Sequence, residues 1–91
     1  MSAARYRVDL ATAAQRQLCR LPPGEAAALR VAILALGHEP RPPGAVKVAG
    51  TEFWRIRVGA LRVIYPVEDE ARLVIVLKVA RRSESTYRRV G

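Results

Sequence analysis

The sequence predicts an α+β domain: a short strand, a helical hairpin, then a twisted antiparallel sheet of three to four strands with the helices packed on one face. Three observations carry this reading. Apolar residues recur at helical spacing between residues 10 and 36, a loop with three prolines follows at His38 to Gly44, and hydrophobicity alternates with period two from Ala45 to about Ala80. The 91 residues suffice for one compact domain, so residues 1–91 are read as a single unit.

Each element has a local cause. Arg5, Tyr6, Arg7 and Val8 alternate and end at Asp9, a residue type that caps helix N-termini, so a first strand over 5–8 leads into a helix from about Leu10 to Arg20. Leu10, Ala14, Leu18 and Leu21 form its apolar stripe, while Gln15, Arg16 and Arg20 face outward. Pro22 and Pro23 end it, because proline donates no intrahelical hydrogen bond. A second helix runs from Pro23 or Gly24 to Leu36, with Ala28, Leu29, Ala32, Ile33 and Leu36 inward and Gly37 as its stop. Strands are expected over 45–48, 53–58, 61–66 and 72–79, joined by short connections and therefore antiparallel.

Gly59-Ala60 fits a two-residue hairpin loop, since glycine accepts a positive φ at the first central position. That loop sets a register in which Val58 lies opposite Leu61, Arg57 opposite Arg62, Ile56 opposite Val63 and Trp54 opposite Tyr65. Trp54, Ile56, Val58, Leu61, Val63 and Tyr65 then form the core face, continued by Leu73, Ile75, Leu77 and Val79. Arg55, Arg57 and Arg62 share the other face with Lys78. Like charges directly opposite one another cost stability, so Arg57 against Arg62 points to a use for both; a solvated arginine face is the competing reading.

Composition narrows the function. With 51% hydrophobic and 26% charged residues the chain is too apolar for intrinsic disorder, and it lacks the run of about 18 apolar residues that a membrane span needs. The start, MSAARYRVDL, has no apolar stretch of signal-peptide length, so a cytoplasmic location is expected and no membrane partner. Cys19 is the single cysteine, which excludes an intrachain disulfide and multi-cysteine zinc sites. His38 is the single histidine, which excludes a two-histidine ribonuclease. Glu68, Asp69 and Glu70 are consecutive on a turn and do not converge on a metal, so a solvated turn and no cofactor are expected. Sixteen basic residues, fourteen of them Arg, stand against eight acidic ones and give +8, a balance that suits a polyanionic partner. Arg81, Arg82, Arg88 and Arg89 surround Tyr87 near the C-terminus, a pattern that suits phosphates and an unpaired base, although a solvated basic tail has the same composition.

The stretch EFWRIRVGALRVIYPVEDEARLVIVLKVARRSESTY resembles the RelE branch of the RelE/ParE toxin superfamily, and the preceding strand and two helices extend the likeness over nearly the whole chain. The WRIRVGALRVIY segment is characteristic of the superfamily and does not separate RelE from ParE. The resemblance implies the toxin of a type II toxin-antitoxin system: a ribosome-dependent endoribonuclease that cuts mRNA in the A site, with rRNA as docking partner. It further implies neutralisation by a cognate acidic antitoxin, with operator DNA reached only through that antitoxin. ParE-like inhibition of DNA gyrase without catalysis is the alternative, and an idle, antitoxin-bound corepressor a third.

Residue by residue, the resemblance carries two basic pre-turn positions onto Arg55 and Arg57, an arginine of the next strand onto Arg62, an arginine after the last strand onto Arg81, and a C-terminal tyrosine onto Tyr87. All five being occupied favours RelE over ParE. The family often has lysine at the first two positions. Arginine keeps its charge and is a poor base, so Arg55 and Arg57 are assigned to substrate holding and charge stabilisation, with the 2′-OH activated electrostatically. Arg62 is expected on the scissile phosphate, Arg81 at the leaving 5′ oxygen and Tyr87 against a base. Lys78, Arg82, Arg88 and Arg89 are expected to bind RNA. Val79-Ala80 departs from the Gly followed by Lys or His often found there, which touches the surroundings of Arg81. Metal-free cleavage giving a 2′,3′-cyclic phosphate and a 5′-OH follows.

Overall fold

The computed structural model describes residues 5–81. In chain order they form β1 (Arg7–Leu10), α1 (Thr12–Cys19), α2 (Pro23–Ala35), β2 (Val46–Lys47), β3 (Trp54–Val58), β4 (Leu61–Tyr65), β5 (Val67–Glu68), β6 (Leu73–Val76) and β7 (Lys78–Arg81). The α+β class and the helical hairpin stand as the sequence predicts. The strands make two ladders, β2-β3-β4-β7 and β1-β6-β5. Leu77 N–H donates to the Ile64 carbonyl at 2.9 Å where the chain passes from one ladder to the other.

The N-terminal boundary differs from expectation. β1 extends through Asp9 to Leu10, and Asp9 pairs with Arg7 at 2.9 Å rather than capping α1. Ala11 is the N-cap, without a side-chain cap. Pairing with β6 in register Arg7↔Leu73 to Leu10↔Val76 lengthens the strand, and the ladder hydrogen bonds outweigh the local preference of one aspartate. This pairing is parallel, unlike the antiparallel pairing expected throughout, because two helices and the first three strands of the large ladder separate β1 from β6 in sequence and make the crossover that parallel strands require.

α2 starts with Pro at its first position, where the missing N–H is no loss. Its buried residues are Ala26, Leu29 and Ile33, followed by the buried C-cap Leu36; Ala28, expected inward, is exposed. Gly37 follows without a left-handed φ, and its carbonyl accepts the N–H groups of Arg5 (2.9 Å) and Tyr6 (2.8 Å). The helix stop thereby also anchors the chain entering β1.

The core lies between the helices and the two ladders: Ala14, Leu29, Ile33 and Leu36 meet Ile56, Leu61, Val63, Tyr65 and Val79 of the large ladder and Val74 and Val76 of β6. Within the expected strand 72–79 the buried residues are Val74, Val76 and Val79, whereas Leu73, Ile75 and Leu77 are only half-buried. One extra residue at Leu77 breaks the ladder and resets the alternation, so a parity counted back from Val79 selects the wrong residues in β6. Tyr65 is fully buried, donates to the Pro40 carbonyl at 2.7 Å, and has its phenol pushed up to about 12 by burial.

The proline loop is tied across the molecule. Arg41 binds Asp69 with both guanidinium nitrogens (3.2 and 2.9 Å) and lies over the Trp54 ring at 5.4 Å, while Lys47 covers the same ring at 5.6 Å. Tyr6 donates to Asp69 Oδ1 at 2.6 Å. The acidic turn is therefore not merely solvated: Asp69 joins the residue that leads into β1, the proline loop and the β5–β6 turn. Arg41 and the Tyr6 hydroxyl hold its carboxyl below the usual carboxylate range.

Candidate functional site

The β3–β4 hairpin builds the site. Gly59 takes φ +62° in a two-residue loop, and the register is Val58↔Leu61, Arg57↔Arg62, Ile56↔Val63, Arg55↔Ile64 and Trp54↔Tyr65, as the sequence predicts. β7 adds Arg62↔Ala80 and Ile64↔Lys78. Residues opposite one another in a ladder share a face, so Arg55, Ile64 and Lys78 form one row and Arg57, Arg62 and Ala80 the next. The core occupies the reverse face, through Ile56, Leu61, Val63, Tyr65 and Val79.

The structure therefore brings Arg55, Arg57, Arg62 and Lys78 together. Arg57 and Lys78 are exposed, Arg55 and Arg62 half-buried, and Arg62 Nε is shielded from solvent. Ile64, not singled out in the sequence, forms an apolar centre between Arg55 and Lys78. Among the described residues Asp9 pairs with Arg7, Asp69 with Arg41 and Glu25 with Arg81, so three carboxylates are engaged away from the Arg55, Arg57 and Lys78 side chains. Cations sharing one sheet face make a surface suited to phosphates, which guanidinium groups bind bidentately.

Arg81 is not brought to this face. Its register partner is the core residue Leu61, and its guanidinium forks onto Glu25 at 2.8 and 3.2 Å on the helix side. Alternation along β7 is the reason: Lys78 and Ala80 look one way, Val79 and Arg81 the other. Arg81 also pulls the Glu25 carboxyl below its ordinary range. Sequence reasoning passed over Glu25 and Gln17, whose Oε1 accepts the Val79 N–H at 2.7 Å, since their partners lie 56 and 62 residues away. Tyr87, Arg82, Arg88 and Arg89 lie outside the described residues. His38 is exposed on the loop after α2, apart from the arginine rows.

Comparison with known proteins places this chain among toxins. The family model described as ParE toxin of type II toxin-antitoxin system, parDE, matches residues 8–86. The chain is 36% identical over 88 residues to Toxin RelG of Mycobacterium tuberculosis (strain ATCC 25618 / H37Rv), covering 92% of this chain and 98% of that protein. Among solved structures, the archaeal RelE-RelB complex from Pyrococcus horikoshii OT3 superposes with TM-score 0.79 at 28% identity, covering 88% of this chain and 98% of that one. The toxin-antitoxin complex RelBE2 from Mycobacterium tuberculosis gives TM-score 0.77 at 30% identity, with 86% and 99% covered.

Proposed function

The chain belongs to the ParE toxin family of type II toxin-antitoxin systems, within the RelE/ParE superfamily, and from that premise we propose that it acts as an RNA-cleaving toxin on mRNA in the ribosomal A site. One observation carries the proposal: Arg55, Arg57, Arg62 and Lys78 lie on one sheet face, with Arg57 directly against Arg62. RNA supplies its own nucleophile. The 2′-OH attacks the adjacent phosphorus in line, the P–O5′ bond breaks, the 2′ proton passes to solvent and water protonates the departing 5′ oxygen, leaving a 2′,3′-cyclic phosphate and a 5′-OH. Arg62, central in the arginine rows, holds the scissile phosphate, and Arg55 and Arg57 stabilise the extra negative charge of the pentavalent state. Guanidinium groups supply charge and not base catalysis, which suits a substrate whose nucleophile is activated by its surroundings. Lys78 contributes a point charge across Ile64 from Arg55, on the path of a neighbouring phosphate. Arg82, Arg88 and Arg89 serve RNA docking, and Tyr87 orients a base.

The expected leaving-group role of Arg81 is not carried forward, because the guanidinium faces the helices. We further propose an acidic antitoxin as partner, since the solved relatives from Pyrococcus horikoshii and Mycobacterium tuberculosis are toxin-antitoxin complexes and this face has the complementary charge.

The family match itself favours a second reading, gyrase inhibition without catalysis. Translating ribosomes and supercoiling by gyrase, each incubated with purified protein, separate the two. Cleaved message with 5′-OH ends is expected; intact message with supercoiling arrested would establish the second reading instead.

A further inference from the structure

β7 is gripped from three sides immediately before the segment that carries Arg82, Tyr87, Arg88 and Arg89. β4 pairs with it in the ladder, Gln17 of α1 accepts the Val79 N–H at 2.7 Å, and Glu25 of α2 receives both outer nitrogens of Arg81 at 2.8 and 3.2 Å. The last two tethers fall on alternate residues and come from different helices. Glu25 stands in the first turn of α2, where the helix dipole favours a carboxylate, and the next residue, Ala26, is buried in the core side of that helix. The carboxylate is thus mounted on a rigid element. Both side chains are 37% exposed. A pair so open to water adds little to stability, whereas a two-point fork defines direction as well as distance.

We propose that the Glu25–Arg81 fork is a positioning clamp that aims the end of β7, so that Glu25 is a positioning residue for the RNA cleavage proposed above, acting through Arg81 without touching RNA. This rests on the cleavage reading for its functional consequence, though not for its structural one. The clamp assigns Arg81 a task that its side of the sheet allows: it fixes the end of β7, the strand that sets Lys78 and Ala80 into the arginine rows, while Arg55, Arg57 and Arg62 receive the phosphate on the opposite face. An arginine at the leaving oxygen and an arginine in a clamp predict opposite responses to charge exchange.

Glu25→Gln, Arg81→Glu and the reversed pair Glu25→Arg with Arg81→Glu are compared in two measurements, after circular dichroism has shown each folded. In cleavage of mRNA on ribosomes, Glu25→Gln is expected to lower kcat about tenfold or more with KM nearly unchanged, as misplaced machinery does. Arg81→Glu is expected to lose more, and the reversed pair to regain most of that loss. A reversed pair no better than Arg81→Glu alone, or Glu25→Gln at wild-type kcat, overturns the positioning role. Amide hydrogen exchange at Val79, Ala80 and Arg81 gives the second readout, with faster exchange expected in Glu25→Gln. Unchanged exchange overturns the clamp itself. Wild-type protein that leaves mRNA intact defeats the cleavage reading, and the exchange measurement then still decides the clamp.

Discussion

Arg57 and Arg62 face each other directly across the β3–β4 ladder, two guanidinium groups on adjacent strands where an acid-base pair would be favourable. Ladder geometry offers them no escape to opposite faces. Arg57→Thr is expected to raise unfolding stability by about 0.3–1 kcal/mol, by removing the repulsion and placing a β-branched residue on a strand. The same change is expected to lower mRNA cleavage about a hundredfold or more. Denaturant unfolding and ribosome cleavage on one preparation check both signs; a variant that gains stability and keeps full activity removes Arg57 from the site. Affinity for a single-stranded RNA should also lose about 0.7 from its logarithmic salt slope with Arg57 gone.

Arg72 adopts φ +53°, a left-handed conformation that a side chain with a β-carbon resists. The turn demands it: Arg72 N–H donates to the Asp69 carbonyl at 3.2 Å, and its own carbonyl accepts the Arg7 N–H at 2.8 Å. Arg72→Gly is expected to raise stability by about 0.5–1 kcal/mol, relief of the strain exceeding glycine's greater entropy in the unfolded chain. Thermal unfolding measures it, and a fall in Tm would show that the arginine side chain contributes more than the strain costs.

Tyr65 sets an alkaline limit. Burial raises its phenol from 10.0 to about 12, so the folded state favours the neutral form. The contribution is whole below pH 10, where the phenol is neutral folded or unfolded, and it is lost as pH rises from the unfolded value through about 12. The full loss is on the order of 3 kcal/mol. Tyr65→Phe is expected to cost about 1 kcal/mol at neutral pH through the missing bond to Pro40 and to flatten this alkaline slope. Urea unfolding at pH 8 to 12 tests the two effects together.

Asp69 sets an acid limit of opposite sign. Arg41 and Tyr6 depress its carboxyl, so the stabilisation is present above the ordinary carboxylate range and is lost as pH falls through the depressed value. Glu25, depressed by Arg81, contributes in the same sense. Protonating Asp69 releases Arg41, which lies over Trp54, the single tryptophan in the chain. Acid titration is therefore expected to change tryptophan emission before the chain unfolds, and Asp69→Asn to show the changed emission already at neutral pH. Identical spectra for variant and wild type would separate the ring from the carboxylate.

The arginine rows were legible because their causes are local. A two-residue loop with glycine at its first position determines the register of its two strands, and register determines which side chains share a face. The same reasoning fails where one residue is inserted. Leu77 lies between β6 and β7, and alternation read through it places Leu73 and Ile75 inward when Val74 and Val76 are buried. Asp9 illustrates a different limit: its capping tendency is a property of the dipeptide, whereas β1 extends through it because β6 is there to pair with it.

Fold class, the helical hairpin, the β3–β4 register and the grouping of Arg55, Arg57 and Arg62 with Lys78 were determined by the sequence alone, through periodicity and turn chemistry acting over a few residues. The tertiary structure decided the parallel seat of β1 on β6, the joining of Tyr6 and Arg41 at Asp69, and the turning of Arg81 toward Glu25. These depend on which distant segments come to lie side by side, and no local pattern at residues 25 and 81 records that the first turn of α2 ends beside the last residue of β7. The excess of positive charge was evident from composition; its division between an arginine-bearing sheet face and ion pairs that hold the chain in place was decided only by folding.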